Sequence, residues 1–444
     1  MTGPDIRKRG IKMIYLYKLT SLLVFILAVP VLPFLYLFSV KRKASLVQRL
    51  GISTGIDISE KKTKRLWIHA LSVGEVKSAV PLVTGLKAKY PRLEIIFTAA
   101  TATGFETAGK LFFDTTPTQV DQIAYFPYDF GFSIRRVYEQ IRPDGVILVE
   151  TDLWPNFLFE MDKKKIPVLL VNARLSERSL NGYLKVRSFA NAFFSNLTQI
   201  LVQTDRDRDR YLKLGLAGDK VRVTGNIKFD QPFDPVDNET VRQMKTRLGI
   251  EPDCQVVLAG STHEGEERVL LNWLKKSEKK TKGPVLIIAP RDPGRTHALI
   301  KMFEAEEITA APLSERLPGS PCPDVIFVDK MGELSRLYAI CDLAFVGGSL
   351  VKQGGHNPLE AAVYAKPILL GPNVDDFLEI SELLTRAGGT VTAASVKALM
   401  EQLDRLLKDR ALQKEMGENN YTVFHSHSGA TDRIIRQMEQ LSLV

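Results

Sequence analysis

Trp67-Ile68-His69-Ala70-Leu71-Ser72-Val73-Gly74-Glu75 is an apolar run closed by small residues and a carboxylate. A short apolar run without alternation reads as a strand buried on both faces, as in a parallel sheet. Ser72 and Gly74 turn the chain, and Val76 to Lys89 has the length and composition of a helix. The stretch is one strand-to-helix step, and in open α/β sheets ligands bind beyond the carboxyl ends of such strands. Glu75 stands at that end. Its carboxylate has two readings: it complements the positive end of the helix, worth under about 1 kcal/mol, or it is a reactive group. His69, inside the strand, reads as a core residue.

Outward from this step the pattern repeats. Apolar runs 66–71, 94–99, 145–149, 167–171, 199–203 and 221–224 read as buried strands separated by helix-length segments. A polar stretch with Pro232, Pro235 and Pro252 then reads as a linker carrying a short helix, Glu239 to Leu248. A second set of runs follows at 256–260, 284–289, 325–328, 343–346 and 367–370, and Val396 to Leu441 reads as helices. This alternation predicts an α/β protein of two Rossmann-like, doubly wound domains with a ligand cleft between them. It suits GT-B glycosyltransferases, and equally some epimerases and phosphorylases. The predicted divisions are an N-terminal segment 1–50, a first domain 51–230, a linker 231–253 and a second domain 254–444.

The length of 444 residues also predicts two domains plus an appendage. The three cysteines, Cys254, Cys322 and Cys341, have neither metal-ligand spacing nor a disulfide framework and read as inert thiols of a reducing compartment. The net charge is +9, yet residues 1–65 hold 13 Lys/Arg against Asp5, Asp57 and Glu60, so the remainder is near neutral. That argues against a nucleic-acid partner. The basic residues flank an apolar segment, Leu19 to Val40, long enough to cross a hydrocarbon core of about 30 Å. Pro30 and Pro33 interrupt it. An N-terminal membrane anchor is expected, either spanning or half inserted and held by anionic membrane lipid; the competing reading is a helix packed on the first domain.

Several constellations carry polar chemistry at predicted strand ends. Glu150-Thr151-Asp152 follows the run Gly145 to Val149 and reads as an acid/base pair, a metal site or an unspecific acidic loop. Lys228 lies just before the linker, where an ammonium can stabilise an anion, or is a surface lysine. Pro290-Arg291 ends a strong strand, where Arg suits phosphate or a base carbonyl. Met331-Gly332-Glu333 precedes a helix. Gly354-Gly355-His356-Asn357-Pro358-Leu359-Glu360 reads as an anion-favouring helix start and, equally, as a capping box with Asn357 at the N-cap and Glu360 at N3. Ser261 to Glu267 reads as a structural cap, and Asp205 to Arg210 as a solvated helix face. The histidines do not cluster, and no metal centre is expected.

Taken in order, Ser72 to Glu75, Glu150 to Asn156, Asn172 to Ser176, Thr224 to Asp230, Ser261 to Glu267, Phe345 to Leu350 and Gly354 to Glu360 resemble the 3-deoxy-D-manno-octulosonic acid (Kdo) transferases of lipopolysaccharide synthesis. The resemblance implies a GT-B fold, CMP-Kdo as donor and a lipid A precursor as acceptor. It implies Glu75 as general base, with Glu150 and Lys228 stabilising the transition state. It implies that Pro290, Arg291, Met331, Gly332, Glu333, Asn357, Pro358, Leu359 and Glu360 hold the CMP. An inverting single displacement without cofactor or obligatory metal is expected, at the cytoplasmic face of the bacterial inner membrane. The competing functions are a membrane-associated GT-B transferase using a UDP-sugar and a non-catalytic lipid-binding scaffold. Asp152 and Asp292 depart from the family pattern, which commonly has Glu and His there; Asp292 sets a carboxylate beside Arg291.

Overall fold

The computed structural model describes residues 3–28, 40–53, 55–56, 63–150, 153–276 and 283–444. The chain forms two compact units, residues 1–231 with 428–444, and residues 232–427.

The first unit is built on seven parallel strands: β1 (Arg65–Ala70), β2 (Glu94–Ala99), β3 (Gln122–Tyr125), β4 (Gly145–Val149), β5 (Val168–Ala173), β6 (Gln199–Val202) and β7 (Val221–Val223). Their order across the sheet is β3-β2-β1-β4-β5-β6-β7. Successive residues of each strand feed opposite cores. Leu66, Ile68 and Ala70 of β1 join Ile147 and Val149 of β4 on one face, while Trp67, Val146 and Leu148 enter the other. Each such side chain contributes roughly 1.5–3 kcal/mol of transfer free energy, which is why these strands are continuously apolar rather than alternating. His69 is fully buried, bonded through Nδ1 to Thr98 and stacked on Phe126.

The second unit repeats the plan with β8 (Val256–Thr262), β9 (Val285–Pro290), β10 (Ala310–Pro312), β11 (Val325–Phe327), β12 (Leu343–Val346), β13 (Ile368–Leu370) and β14 (Thr390–Thr392). The order is β10-β11-β9-β8-β12-β13-β14, again all parallel. In each sheet the winding reverses once, between β1 and β4 and between β8 and β12. Diverging loops at such a reversal leave a crevice at the carboxyl edge. The edge strands β3, β10 and β14, each three or four residues long, were not read from the sequence.

Three sequence expectations are corrected. The helix Ala430–Gln440 belongs to the first unit, because Ile434, Ile435 and Met438 enter the core under β1. Asp230 secures its start by accepting the N–H groups of Gly429 at 2.5 Å and Thr431 at 2.6 Å. The stretch read as a linker folds into the second unit, where Leu248 and Ile250 are buried and Arg316 donates to Leu248 O at 3.2 Å. In the run Asp205 to Arg210, Asp207 is fully buried and accepts Leu175 N–H at 3.0 Å, while Arg210 donates to Leu175 O at 2.7 Å. Two of the six charges thus tie the helix to a loop.

The N-terminal helix Gly3–Ala28 lies along the helix Arg187–Phe194. Tyr17 donates to Asp129 at 2.9 Å, Lys18 sits over the Phe159 ring at 4.2 Å, and Phe25 meets Phe130 and Phe132 with centroids 4.9 Å apart. The opposite face carries Leu16, Leu19, Leu23, Val24, Ile26 and Leu27, each more than half exposed. Among the described residues no helix is long and apolar enough to cross a membrane. Residues 29–39 of the expected anchor lie outside the described residues. Of the cysteines, Cys341 is buried and the other two are half-buried. Burial pushes the Cys322 thiol up to about 11 and the Cys341 thiol up to about 12, so both stay protonated at neutral pH.

Candidate active site

In the first unit the chain leaves β1, turns at Ser72 and enters the helix Val73–Ser78. Ser72 makes no side-chain cap. Glu75 does the capping instead: its Oε2 reaches back to accept the Leu71 N–H at 2.5 Å. Glu75 is buried, 8% exposed, and this bond fixes its carboxylate at the carboxyl edge of β1. Three residues on, Ser78 Oγ donates to Glu150 Oε1 at 3.0 Å, linking this helix to the end of β4.

Glu150 is the first residue after β4 and adopts φ +64°. Asn172, within β5, adopts φ +54°. Left-handed backbone at two non-glycine residues costs about 1–3 kcal/mol each and concentrates at functional sites. Here it turns both side chains to one place. Glu150 Oε1 receives Asn172 Nδ2 at 3.5 Å and lies 3.7 Å from Lys228 Nζ. Lys228 sits in the short 3-10 turn Ile227–Asp230, whose start is held twice: Asn172 Oδ1 accepts Ile227 N–H at 3.1 Å and Asn226 Oδ1 accepts Lys228 N–H at 3.0 Å. Gln203 completes the net, donating to Asn172 O and accepting from Asn226, both at 2.9 Å. The ammonium is therefore carried on a locked backbone, 3.7 Å from the Glu150 carboxylate and 17% exposed at its side chain. Thr151 and Asp152 lie outside the described residues, so the paired-carboxylate reading of Glu150 with Asp152 concerns a position without a described geometry.

In the second unit the expected donor-binding residues all follow strands of one parallel sheet, and so share its carboxyl edge. Pro290 ends β9, and Arg291 N–H donates to Thr262 O at 2.9 Å, extending the ladder with β8. Met331, 70% exposed, and Gly332, at φ +92°, turn the chain into the four-residue helix Leu334–Leu337, with Glu333 just before it. Asn357 Oδ1 accepts Leu359 N–H at 3.2 Å, and Pro358 precedes the helix Leu359–Ala362. Pro358 already has helical backbone, φ −76° and ψ −14°, so the Asn357 bond to Leu359 N–H is that of an N-cap residue, as its sequence reading predicts, and Glu360 lies in the first turn of the helix. Asp292 accepts Gly294 N–H at 2.9 Å and caps the turn Pro293–Arg295. Its carboxylate is thus engaged locally.

Behind this edge stands Glu266, which is 1% exposed. It accepts the N–H groups of His263 at 2.9 Å, Gly348 at 2.8 Å and Leu350 at 3.0 Å, clamping the β8 and β12 loops together. The approach is so close that a Cβ on Gly347 would stand 2.6 Å from Ser261 O. Neighbouring Glu267 pairs with Arg295 at 2.8 Å. The run Ser261 to Glu267 is therefore the brace of the crevice, as its reading as a structural cap predicts.

The family model described as 3-deoxy-D-manno-octulosonic-acid transferase (kdotransferase) matches residues 44–231, and that described as glycosyl transferases group 1 matches residues 323–423. The 3-deoxy-D-manno-octulosonic acid transferase of Haemophilus influenzae is 34% identical over 372 residues, which cover 83% of this chain and 85% of the relative. The chain belongs to the Kdo transferase family. The Bordetella pertussis member is 30% identical over 379 residues, 84% of this chain and 86% of its own, and the Chlamydia pneumoniae member 27% over 438 residues, 97% of each. Among solved structures, UDP-GlcNAc 2-epimerase from Neisseria meningitidis aligns at TM-score 0.58 with 16% identity, over 85% of this chain and 100% of that one, a likeness of fold alone.

Within this Kdo transferase, Glu150 and Lys228 meet directly and Glu75 joins them through the Ser78 end of its helix. Sequence reading missed Ser78, Gln203 and the role of Asn172. Ser78 has no spacing signal of its own; Asn172 had one, since Asn tolerates left-handed backbone and ends an apolar run. Asn172→Ala should leave the buried Ile227 N–H without its acceptor, destabilising the first unit by about 1–3 kcal/mol in denaturant titration. An unchanged midpoint would contradict the role given to this side chain.

Proposed function

We propose that this Kdo transferase moves Kdo from CMP-Kdo to a hydroxyl of a lipid A precursor, in one inverting displacement without an obligatory metal. The acceptor hydroxyl attacks the anomeric carbon and gives its proton to Glu75. The bond from that carbon to the phosphate oxygen breaks, and CMP leaves with the electron pair. A carboxylate within reach of the hydroxyl supplies about 10²–10⁴-fold as general base. Lys228, held beside Glu150, offsets negative charge that develops along the reaction. Arg291 and the backbone around Met331 to Glu333 and Asn357 to Glu360 are assigned to the CMP, with Pro290 and Pro358 shaping those loops. The observation that carries the reading is the convergence of Glu150, Lys228 and Ser78 beside the Glu75 helix at one sheet edge, in a chain of this family.

The acceptor is a lipid, and the exposed apolar face of the helix Gly3–Ala28 supports work at a membrane surface. The proposal places that surface at the cytoplasmic side of the inner membrane, with anionic lipid attracting the basic N-terminal residues.

Incubation with CMP-Kdo and a lipid A precursor should yield a product heavier by whole Kdo units in mass spectrometry. CMP should inhibit and UDP should not. Inhibition by UDP alone would overturn the donor assignment, and an unchanged acceptor mass would overturn the reaction. Replacing Leu19, Leu23 and Leu27 together by Glu removes about 1.5–3 kcal/mol of apolar transfer per residue. Binding to anionic vesicles should then fall at least about tenfold, while turnover of a detergent-dispersed acceptor stays within about twofold. Unchanged vesicle binding would sink the docking role.

A further inference from the structure

Contrary to the expectation that the histidines do not cluster, two imidazoles meet over the crevice where the second sheet reverses. His263 follows β8 and His356 lies in the loop after β12. Their Nε2 atoms are 2.8 Å apart and their rings are 5° from parallel. Both side chains are half-buried. They rest on Gly348, at φ +69°, where a Cβ would meet His356 Nε2 at 3.1 Å and His263 Cδ2 at 3.4 Å. The Glu266 clamp fixes His263 and Gly348 from behind, so the pairing is built into the loops.

A contact of this kind needs one N–H and one lone pair. The two Nε2 atoms therefore share a single proton, since two would face each other head on. Burial and charges of both signs surround the pair. Burial holds His263 below the ordinary imidazole value, and Arg291 and then Arg295 add to this against the opposing pull of Glu267. On the other side, Asp376 packs on Gly354, and Glu360 lies four residues after His356 in the helix Leu359–Ala362. Ligands of open α/β sheets bind at this reversal, and Arg291 stands beside it. An anion arriving there accepts two charge-assisted hydrogen bonds, each about twice as strong as a neutral one, if both imidazoles turn an N–H toward it.

We propose that His263 and His356 form a proton-coupled clamp for the anionic phosphate of the donor nucleotide: the imidazole–imidazole bond opens, each Nε2–H is donated to the phosphate, and the pair takes up a proton from solvent. This rests on the reading of the second unit as the donor site. One N–H bond forms, on the imidazole that offered its lone pair, with a proton from solvent; no other covalent bond changes. An anion raises the imidazole pKa from its lowered value, so the clamp is strongest below the free pKa, and affinity falls as pH rises through the bound one.

The test measures CMP affinity by calorimetry between pH 6 and pH 8 for the full chain and for His263→Gln and His356→Gln. Glutamine keeps a donor and does not titrate. Wild type should lose affinity more steeply than either variant, by up to about tenfold per pH unit, the limit for one linked proton. The phosphate's own ionisation is common to all three proteins and cancels. In parallel, NMR titration of the wild-type imidazoles should show both pKa values rising when CMP is added and staying put with cytidine. Coincident pH profiles, or imidazoles indifferent to CMP, overturn the clamp even where a variant fails to fold. If UMP binds and CMP does not, the CMP-donor reading falls and the clamp is judged by the same profile on UMP. If neither nucleotide binds, both fail.

Discussion

A parallel strand buried on both faces can carry polar chemistry only at its ends. That constraint organises both halves of this protein. In the first sheet β1 neighbours both β2 and β4, and in the second β8 neighbours both β9 and β12. At each reversal the following loops turn away from one another and leave an edge that side chains from several strands can share. Glu75, Ser78, Glu150, Asn172 and Lys228 gather at one such edge; His263, Glu266, Arg291 and Gly347 to Ser349 gather at the other. The two edges are built alike. Each has a residue at left-handed φ by its central strands, Glu150 and Asn172 in one and Ser261 in the other, and each has a carboxylate that accepts backbone N–H groups.

Much of this was legible in the residues. The central strands are continuous Val/Ile/Leu runs because both faces are covered, and the polar punctuation after them marks the functional edges. His69, inside such a run, is a fully buried core residue bonded to Thr98, as its position predicts. What could not be read has physical reasons. The helix Ala430–Gln440 carries an ordinary amphipathic stripe, and nothing in it tells which sheet will bury that stripe. Asp230, which caps it, is some 200 residues away in the chain. Proline-rich polarity around residues 232–253 looks like a linker until Leu248 and Ile250 find their core. The N-terminal helix shows high hydropathy in sequence, but Tyr17, Lys18 and Phe25 on one side are matched to aromatic partners of the first unit. Only its other face is apolar and open.

In the proposed mechanism Glu75 holds a structural role and a chemical role in one side chain. Its hydrogen bond to Leu71 N–H stabilises the turn after β1 and at the same time fixes the group at the edge. The sequence offered helix-start complementation and a reactive group as competing readings; the hydrogen bond shows the structural role, and the proposed base uses the same fixed carboxylate. Family membership narrows the chemistry to Kdo transfer, and the proposal assigns acceptor activation to this edge.

The most direct measurement is therefore turnover and CMP affinity of Glu75→Gln, determined on the same preparation. Glutamine retains a side-chain carbonyl able to accept the Leu71 N–H, so the turn should stand while the base is lost. The account predicts a fall in turnover of at least about 10²-fold with CMP affinity unchanged. Turnover within a few fold of wild type, or a protein that no longer folds, would contradict it.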